Sequence, residues 1–296
     1  MRADDLVILL EIARCGSLTG AAAALGINHA TVSRRISALE AEMHGSVLVR
    51  HVQGCQLTEL GSSLLESCEQ IESALRRVHE IGGTPQAQQS LSGLVRVAST
   101  HAFGSYYIAP LLAELHSMNR NLTVELVTST RLTAYNAGWD IEIGVGEPVI
   151  SRPGAERLCS YRMGLYATEE YLAAHGRPTT IDEFADHSLI YYVESLLRVE
   201  DLDVLATQLR HRVQIGSTSV QAQLAATLVG AGIGLLPAFV GDREPRLRRV
   251  LWSEVSSTLE FTASLAPRRL QRPATTVVMR AIREMIAERG HELAPP

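Results

Sequence analysis

The stretch His29-Ala30-Thr31-Val32-Ser33-Arg34-Arg35 sets an imidazole, two hydroxyls and two guanidiniums within seven residues. A guanidinium can fork onto a carboxylate, a phosphate or the O6/N7 edge of guanine, and hydroxyls serve phosphates and bases alike. Val32, Ile36, Leu39 and Met43 fall at i, i+4, i+7 and i+11, a single buried stripe of a helix. That stripe turns His29, Ser33, Arg34 and Ser37 outward. Two uses of the arginines are open at this point. They can pair with Glu40 or Glu42 on a solvated face, or reach a partner outside the chain.

The elements that must carry these groups are legible nearby. Leu6, Leu9, Leu10 and Ala13 recur at helical spacing until Gly16 breaks the run. Ser17 or Thr19 can cap a second helix, Ala21 to Ala24 allow close helix approach, and Gly26 ends it. Asn28 can cap the third, over 29–43. Two short helices around a Gly-containing turn, the second polar outside, describe a helix-turn-helix. Val47-Leu48-Val49-Arg50 and Cys55-Gln56-Leu57-Thr58 then predict a wing hairpin about Gln53-Gly54, with Gly54 supplying positive φ.

Thr58 can cap a long helix after the wing, in which Leu64, Cys68, Ile71, Leu75 and Val78 are spaced 4, 3, 4, 3, the a/d repeat of a coiled coil. Glu59 to Ile81 would run about 35 Å. A helix that long with one apolar seam predicts a second copy alongside it; packing of the seam on its own domain is the alternative. Gly82 to Ser90 read as a polar linker with breakers at its front. Strands at 94–98, 122–127 and 141–145 about a helix at 103–117 predict a βαβαβ parallel sheet. Further on, 219–229 reads as a helix, 232–237 and 259–265 as strands, and 274–287 as a closing helix. The domains are thus 1–58, 59–90 and 91–296.

Composition excludes several classes. No run of 18 apolar residues predicts a membrane span, and Met1-Arg2-Ala3-Asp4-Asp5 is unlike a secretory leader. Cys15, Cys55, Cys68 and Cys159 are scattered without a Cys-x-x-Cys pair, which suits a reducing cytoplasm and argues against zinc or a disulfide framework. A redox role for one of them is a lesser alternative to an idle thiol. An enzyme would need some recognisable motif, and the sequence lacks Gly-x-Ser-x-Gly, His-Glu-x-x-His, the phosphate-binding Gly-x-x-x-x-Gly-Lys loop and every lysine. No catalytic residue, metal or cofactor is expected. The net charge of −5 is the wrong sign for coating nucleic acid, and residues 1–58 balance five Arg against five acidic residues. Any DNA contact must rest on local placement of Arg, with weak non-specific affinity.

Taken together, Ser17-Leu18-Thr19-x-Ala21-Ala22, Thr31-Val32-Ser33-Arg34-Arg35-Ile36-x-x-Leu39-Glu40, Arg50 and Leu57-Thr58-x-x-Gly61 resemble the LysR-type transcriptional regulators. Pro110, Asp140-Ile141 and Gly232-Ile233-Gly234-Leu235-Leu236-Pro237 extend the resemblance over nearly the whole chain. The chain departs where the family usually has Leu-Gly (here Met43-His44) and Leu-Phe (here Val47-Leu48).

The resemblance implies an α/β multidomain architecture: a winged helix-turn-helix, a dimerisation helix, and a two-lobed effector domain like periplasmic binding proteins. A transport-type solute-binding protein is the rival that the 91–296 half alone would suggest, and the attached head argues against it. Double-stranded DNA is the expected partner, with His29, Ala30, Thr31, Ser33, Arg34 and Arg35 in the major groove and Arg50 and Gln53 at flanking backbone or minor groove. Lobe I is expected at about 91–161 and 266–296 and lobe II at about 162–265, with crossings near Cys159–Arg162 and Ala263–Ala266. Ser99, Thr100, His101 and Thr128 from one lobe, and Ser217 and Thr218 from the other, would then face a small-molecule effector, carboxylate-like if helix N-termini hold it. Each can equally be an ordinary N-cap. Leu64, Cys68, Ile71, Leu75 and Val78 would pair two chains on a pseudo-palindromic operator, with tetramers and RNA polymerase contact implied by the resemblance alone.

Overall fold

The computed structural model describes residues 2–51, 54–82, 91–128, 139–146, 155–193, 213–267 and 270–294. Its amino-terminal head comprises α1 (Ala3–Cys15), α2 (Leu18–Leu25), α3 (His29–Glu42), β1 (Leu48–His51) and β2 (Gly54–Leu57). Each boundary has a local cause. Gly16 at φ 66 ends α1, its N–H donating to the Ile12 carbonyl. Ser17 Oγ accepts from Gly20 N at 3.0 Å to start α2, and Asn28 Oδ1 accepts from Ala30 N at 2.8 Å to start α3. Leu9, Leu10, Ile12, Ala21, Val32, Ile36 and Leu39 meet in one fully buried core.

The chain leaves α3 through His44, which takes φ 52, a left-handed conformation costly for a residue with a Cβ. This is where the family resemblance placed a glycine. His44→Gly should therefore raise head stability by about 0.5–1 kcal/mol, read as a higher thermal midpoint.

α4 (Glu59–Gly82) follows the wing. Thr58 Oγ1 accepts from Gly61 N at 3.0 Å and donates to the Ser46 carbonyl at 2.7 Å, tying the helix start to the wing's entry. A Cβ on Gly61 would collide with the Val47 carbonyl, so glycine is what lets α4 begin there. The apolar seam divides between two uses. Cys68 is buried in the head core beside Leu65, with Leu64 and Ile71 packed against it. Leu75 is half-buried and Val78 is 64% exposed. The amino-terminal half of the seam thus packs on its own head, as the alternative reading allowed, because α1 lies alongside it.

The remaining strands form one curled sheet in the order β4 (Leu122–Thr128), β3 (Gly93–Ser99), β5 (Ile141–Val145), β11 (Ser257–Leu265), β6 (Glu156–Thr168), β9 (Ile233–Pro237), β7 (Leu189–Tyr191), β8 (Val213–Gly216), with β10 (Leu247–Val250) on β6. β3 (Gly93–Ser99) pairs in parallel with β4 (Leu122–Thr128) and β5 (Ile141–Val145), the parallel unit that the sequence predicts. The segment between β4 and β5 lies outside the described residues over 129–138. α5 (His101–Phe103) passes through a π-helical turn (Gly104–Ile108) into α6 (Ala109–Met118). β6 (Glu156–Thr168) carries the chain into the second lobe. There, α7 (Glu169–His175), β7 (Leu189–Tyr191), β8 (Val213–Gly216), α8 (Val220–Leu228), β9 (Ile233–Pro237), α9 (Ala238–Gly241) and β10 (Leu247–Val250) follow. β11 (Ser257–Leu265) returns to the first lobe, and α10 (Pro273–Arg289) closes it against α6 and β3.

β6 crosses near Cys159–Arg162 as expected, but the second crossing moves. Ala263, Ser264 and Leu265 already pair with Ile143, Glu142 and Ile141 of β5, so they belong to the first lobe. Phe261 and Thr262 pair with Val145 and Gly144 in the same way, so the crossing is Ser257–Glu260, opposite Met163–Ser160 and next to Phe261. Tyr161 stacks on Phe261 there at 4.3 Å, and Phe103 stacks on Phe261 at 4.3 Å. Phe239 meets Tyr107 edge-on at 5.6 Å, so aromatic rings from both lobes fill the hinge. In the 232–237 motif, a Cβ at Gly232 would strike the Ser188 carbonyl and one at Gly234 the Thr227 side chain.

Candidate nucleic-acid interface and ligand cleft

The outer face of α3 carries the groups its spacing predicts. His29, Ala30 and Arg34 are exposed, and Thr31, Ser33 and Arg35 are half-buried, while Val32, Ile36 and Leu39 are fully buried behind them. The arginines part company. Arg35 Nη1 bonds Asp4 Oδ2 at 3.1 Å and Asp5 Oδ1 at 3.3 Å, so it ties α3 to the start of α1 and does not stand free for phosphate. No ion pair among the described residues involves Arg34. Glu40, one of the two partners that the solvated-face reading would assign, instead accepts from Val47 N at 3.0 Å and Leu48 N at 3.4 Å, fixing the wing to α3.

In the wing, Leu48 pairs with Leu57 and Arg50 with Cys55, leaving Arg50 exposed. Gln53 lies outside the described residues. Gly54, at φ 141, sits so close to the Gly16 carbonyl that a Cβ would collide, and Cys55 N donates to that carbonyl at 2.7 Å. The wing is thus seated on the end of α1. The face has two exposed guanidiniums, Arg34 and Arg50, at its helix and its wing.

At the other site, Ser99 ends β3 with its side chain buried and, among the described residues, no hydrogen-bond partner for Oγ. Nδ1 of His101 is likewise buried and unpartnered. Thr100 stands at the N-cap of α5 without capping it through its side chain. Thr128 ends β4, and its Cγ2 would lie 3.0 Å from a Cβ on Gly104, so this glycine lets the π turn approach. The second lobe is less open. Ser217 Oγ accepts from Ser219 N at 3.1 Å, an ordinary turn bond, and Ser219 caps α8. Thr218 is half-buried beside them.

Sequence reasoning missed Gln223. It is fully buried on α8, donates Nε2 to the Ser217 carbonyl at 2.8 Å, and keeps Oε1 without a partner. The signal was a polar residue at helical spacing from Ser219, which spacing alone does not separate from a solvated one. α5 and α8 are in contact across the two lobes. Buried polar atoms without partners cost free energy, and here two of them, His101 Nδ1 and Gln223 Oε1, stand on the two facing elements, with Ser99 Oγ at the end of β3 just before α5.

Residues 3–62 match the family model described as "Bacterial regulatory helix-turn-helix protein, lysR family", and residues 88–287 match "LysR substrate binding domain". The chain belongs to the LysR-type transcriptional regulators. An HTH-type transcriptional regulator of Xanthomonas campestris is 29% identical over 185 residues, 62% of this chain but only 53% of its own length. CrgA of Neisseria meningitidis is 27% identical over 251 residues, 81% of each chain. The solved structure of CrgA has a TM-score of 0.56 at 24% identity and covers 98% of this regulator and 99% of CrgA. Full-length LysG of Corynebacterium glutamicum, with bound effector Arg, has a TM-score of 0.57 at 21% identity and covers 97% and 99%. The regulator therefore joins a DNA-binding head to an effector-binding domain in the arrangement of full-length family members. Among the described residues, no single helix is long and apolar enough to cross a membrane.

Proposed function

We propose that this regulator acts in the cytoplasm as a homodimer or homotetramer, without a catalytic step. It places α3 in the major groove of a pseudo-palindromic duplex, and a small molecule between its lobes changes how the two heads are presented. The observation that carries the DNA reading is the exposed Arg34, backed by the buried Val32, Ile36 and Leu39. His29, Ala30, Thr31 and Ser33 supply the neighbouring contacts, with Arg50 and Gln53 reaching the flanking backbone. Arg35 serves this face by holding α3 in place. Leu75 and Val78, past the head, pair the α4 helices, and the packing of Cys68 keeps each head fixed to its helix.

For the effector, Ser99, Thr100, His101 and Thr128 form one wall, and Ser217, Thr218 and Gln223 the other. The unpartnered Ser99 Oγ, His101 Nδ1 and Gln223 Oε1 support a polar ligand that both donates and accepts hydrogen bonds. A small carboxylate carrying a donor group fits that set. Such a ligand can switch the regulator only by binding two arrangements unequally, with contact to RNA polymerase as the outcome.

The DNA reading is tested by incubating the full-length protein with fragmented DNA from its own genome at low salt and sequencing what it retains. Enrichment of fragments sharing a two-half-site pattern is expected; uniform retention, or none, overturns it. The cleft is tested by thermal shift against a panel of small carboxylates. Thr100→Val should at least halve any shift that the wild type shows, and equal shifts remove Thr100 from the site.

A further inference from the structure

The head and lobe I meet at a buried ionic junction. Arg272, at the N-cap of α10, bonds both carboxylate oxygens of Asp140 through Nη1, at 2.5 and 2.6 Å, and Glu11 of α1 through Nη2. Arg14 reaches Glu72 of α4 in a two-bond fork at 2.5 and 2.8 Å, lies 3.4 Å from Glu11, and donates to the Leu270 carbonyl at 3.1 Å. Arg96 of β3 places Nη1 3.1 Å from Cys15 Sγ. Glu11, Arg14, Cys15, Asp140 and Arg272 are all buried. The apolar part of the contact is Leu270, which packs against the head core.

Buried ion pairs nearly break even against their desolvation, so a contact built from them separates at little net cost if both faces rehydrate. A contact built from apolar side chains lacks that property. The junction also adjoins working parts on each side. On lobe I, Arg96 and Asp140 lie on or beside β3 and β5, whose other ends are Ser99 and Val145 at the cleft. On the head, Cys15 precedes Gly16, whose carbonyl anchors the wing through Cys55 N. The exposed face of α3 takes no part, so docking leaves the groove-reading residues uncovered.

We propose that the Arg272-centred junction is a releasable latch: lobe I holds the head at one angle when docked and frees it when the ion network opens. Docking presents α3 and the wing in a fixed orientation, and release lets the head, with the part of α4 packed on it, swing as one body away from lobe I. The latch concerns how the regulator is switched and rests on the reading that its head binds DNA, yet it is testable without DNA.

Cys15 is the reporter. The full-length protein is treated with iodoacetamide, and labelling at each cysteine is followed by peptide mass spectrometry. In the wild type, Cys15 should label at least tenfold slower than in urea-unfolded protein. Arg272→Met and Leu270→Ala should each raise the Cys15 rate at least tenfold, with Cys68, buried deeper in the same head, unchanged. Arg272 favours the thiolate of Cys15, so its loss alone would slow labelling; a faster rate reports exposure. If Cys68 also accelerates in Arg272→Met, the head has unfolded there and Leu270→Ala decides. Unchanged Cys15 rates in Leu270→Ala, or wild-type Cys15 labelling at the unfolded rate, overturn the latch and leave the DNA reading to its own test.

Discussion

Arg34→Ala is expected to weaken binding to the selected operator by about 1–3 kcal/mol, a loss of roughly 5- to 150-fold, in a mobility-shift titration. The magnitude follows from how little else can replace it. The head has five arginines against five acids. Arg14 is committed to Glu72 and Glu11, and Arg35 to Asp4 and Asp5. Arg2, Arg34 and Arg50 are left exposed, and of these Arg34 lies on α3 and Arg50 on the wing, with Arg2 apart from them at the start of α1. If Arg34 forks onto a guanine, its loss also relaxes preference at that base pair; if it holds phosphate, the loss is uniform across sequences and the salt slope falls by about one. Arg35→Ala serves as the contrast. Its two ion pairs, one to exposed Asp4 and one to buried Asp5, should cost about 1–2 kcal/mol of stability, and DNA affinity should change less than in Arg34→Ala. Operator binding by folded Arg34→Ala at the wild-type level would remove this residue from the interface.

The contrast between Arg34 and Arg35 also shows what a sequence can and cannot reveal. The stripe Val32, Ile36, Leu39 is a local regularity, and helices read from such regularities appear where expected; β5 falls on Ile141–Val145 for the same reason. Which acid an arginine chooses is not local. Arg35 meets Asp4 across 31 residues, and Glu40, the nearer candidate, is taken by the backbone of the wing. The α4 seam was visible as a 4, 3 repeat, but the repeat does not say which surface covers it. Only the packing of α1 shows that Cys68 belongs to the head. The second crossing lies earlier than spacing suggests because β11 is held between β5 and β6, with Phe261–Ala263 paired to both, and spacing within one strand carries no trace of its neighbours. Gln223 escaped for a related reason: burial of a lone amide depends on the opposite lobe.

Asp140 joins both lessons, since family resemblance singled it out while its partners Arg96 and Arg272 lie 44 and 132 residues away. Asp140→Asn keeps the shape and removes the charge facing Arg272, and should cost about 3 kcal/mol in urea unfolding. The cost arises because a buried guanidinium loses one of its two counter-charges, while the amide can accept only some of the hydrogen bonds from Arg272 and from Arg96 N. Acid should act on the same network from the other side. Burial pushes the Glu11 carboxyl up, but Arg272 and Arg14 outweigh it and hold its pKa below the ordinary 4.5. A carboxyl lowered by folding stabilises the folded chain above its unfolded pKa, and that contribution fades as pH falls through the folded value. The wild type should therefore lose stability progressively below about pH 4.5, and Glu11→Gln should flatten that part of the curve. A loss under about 1 kcal/mol in Asp140→Asn would mean that water reaches Arg272 once the carboxylate is gone, and that the network holds the head less tightly than its burial implies.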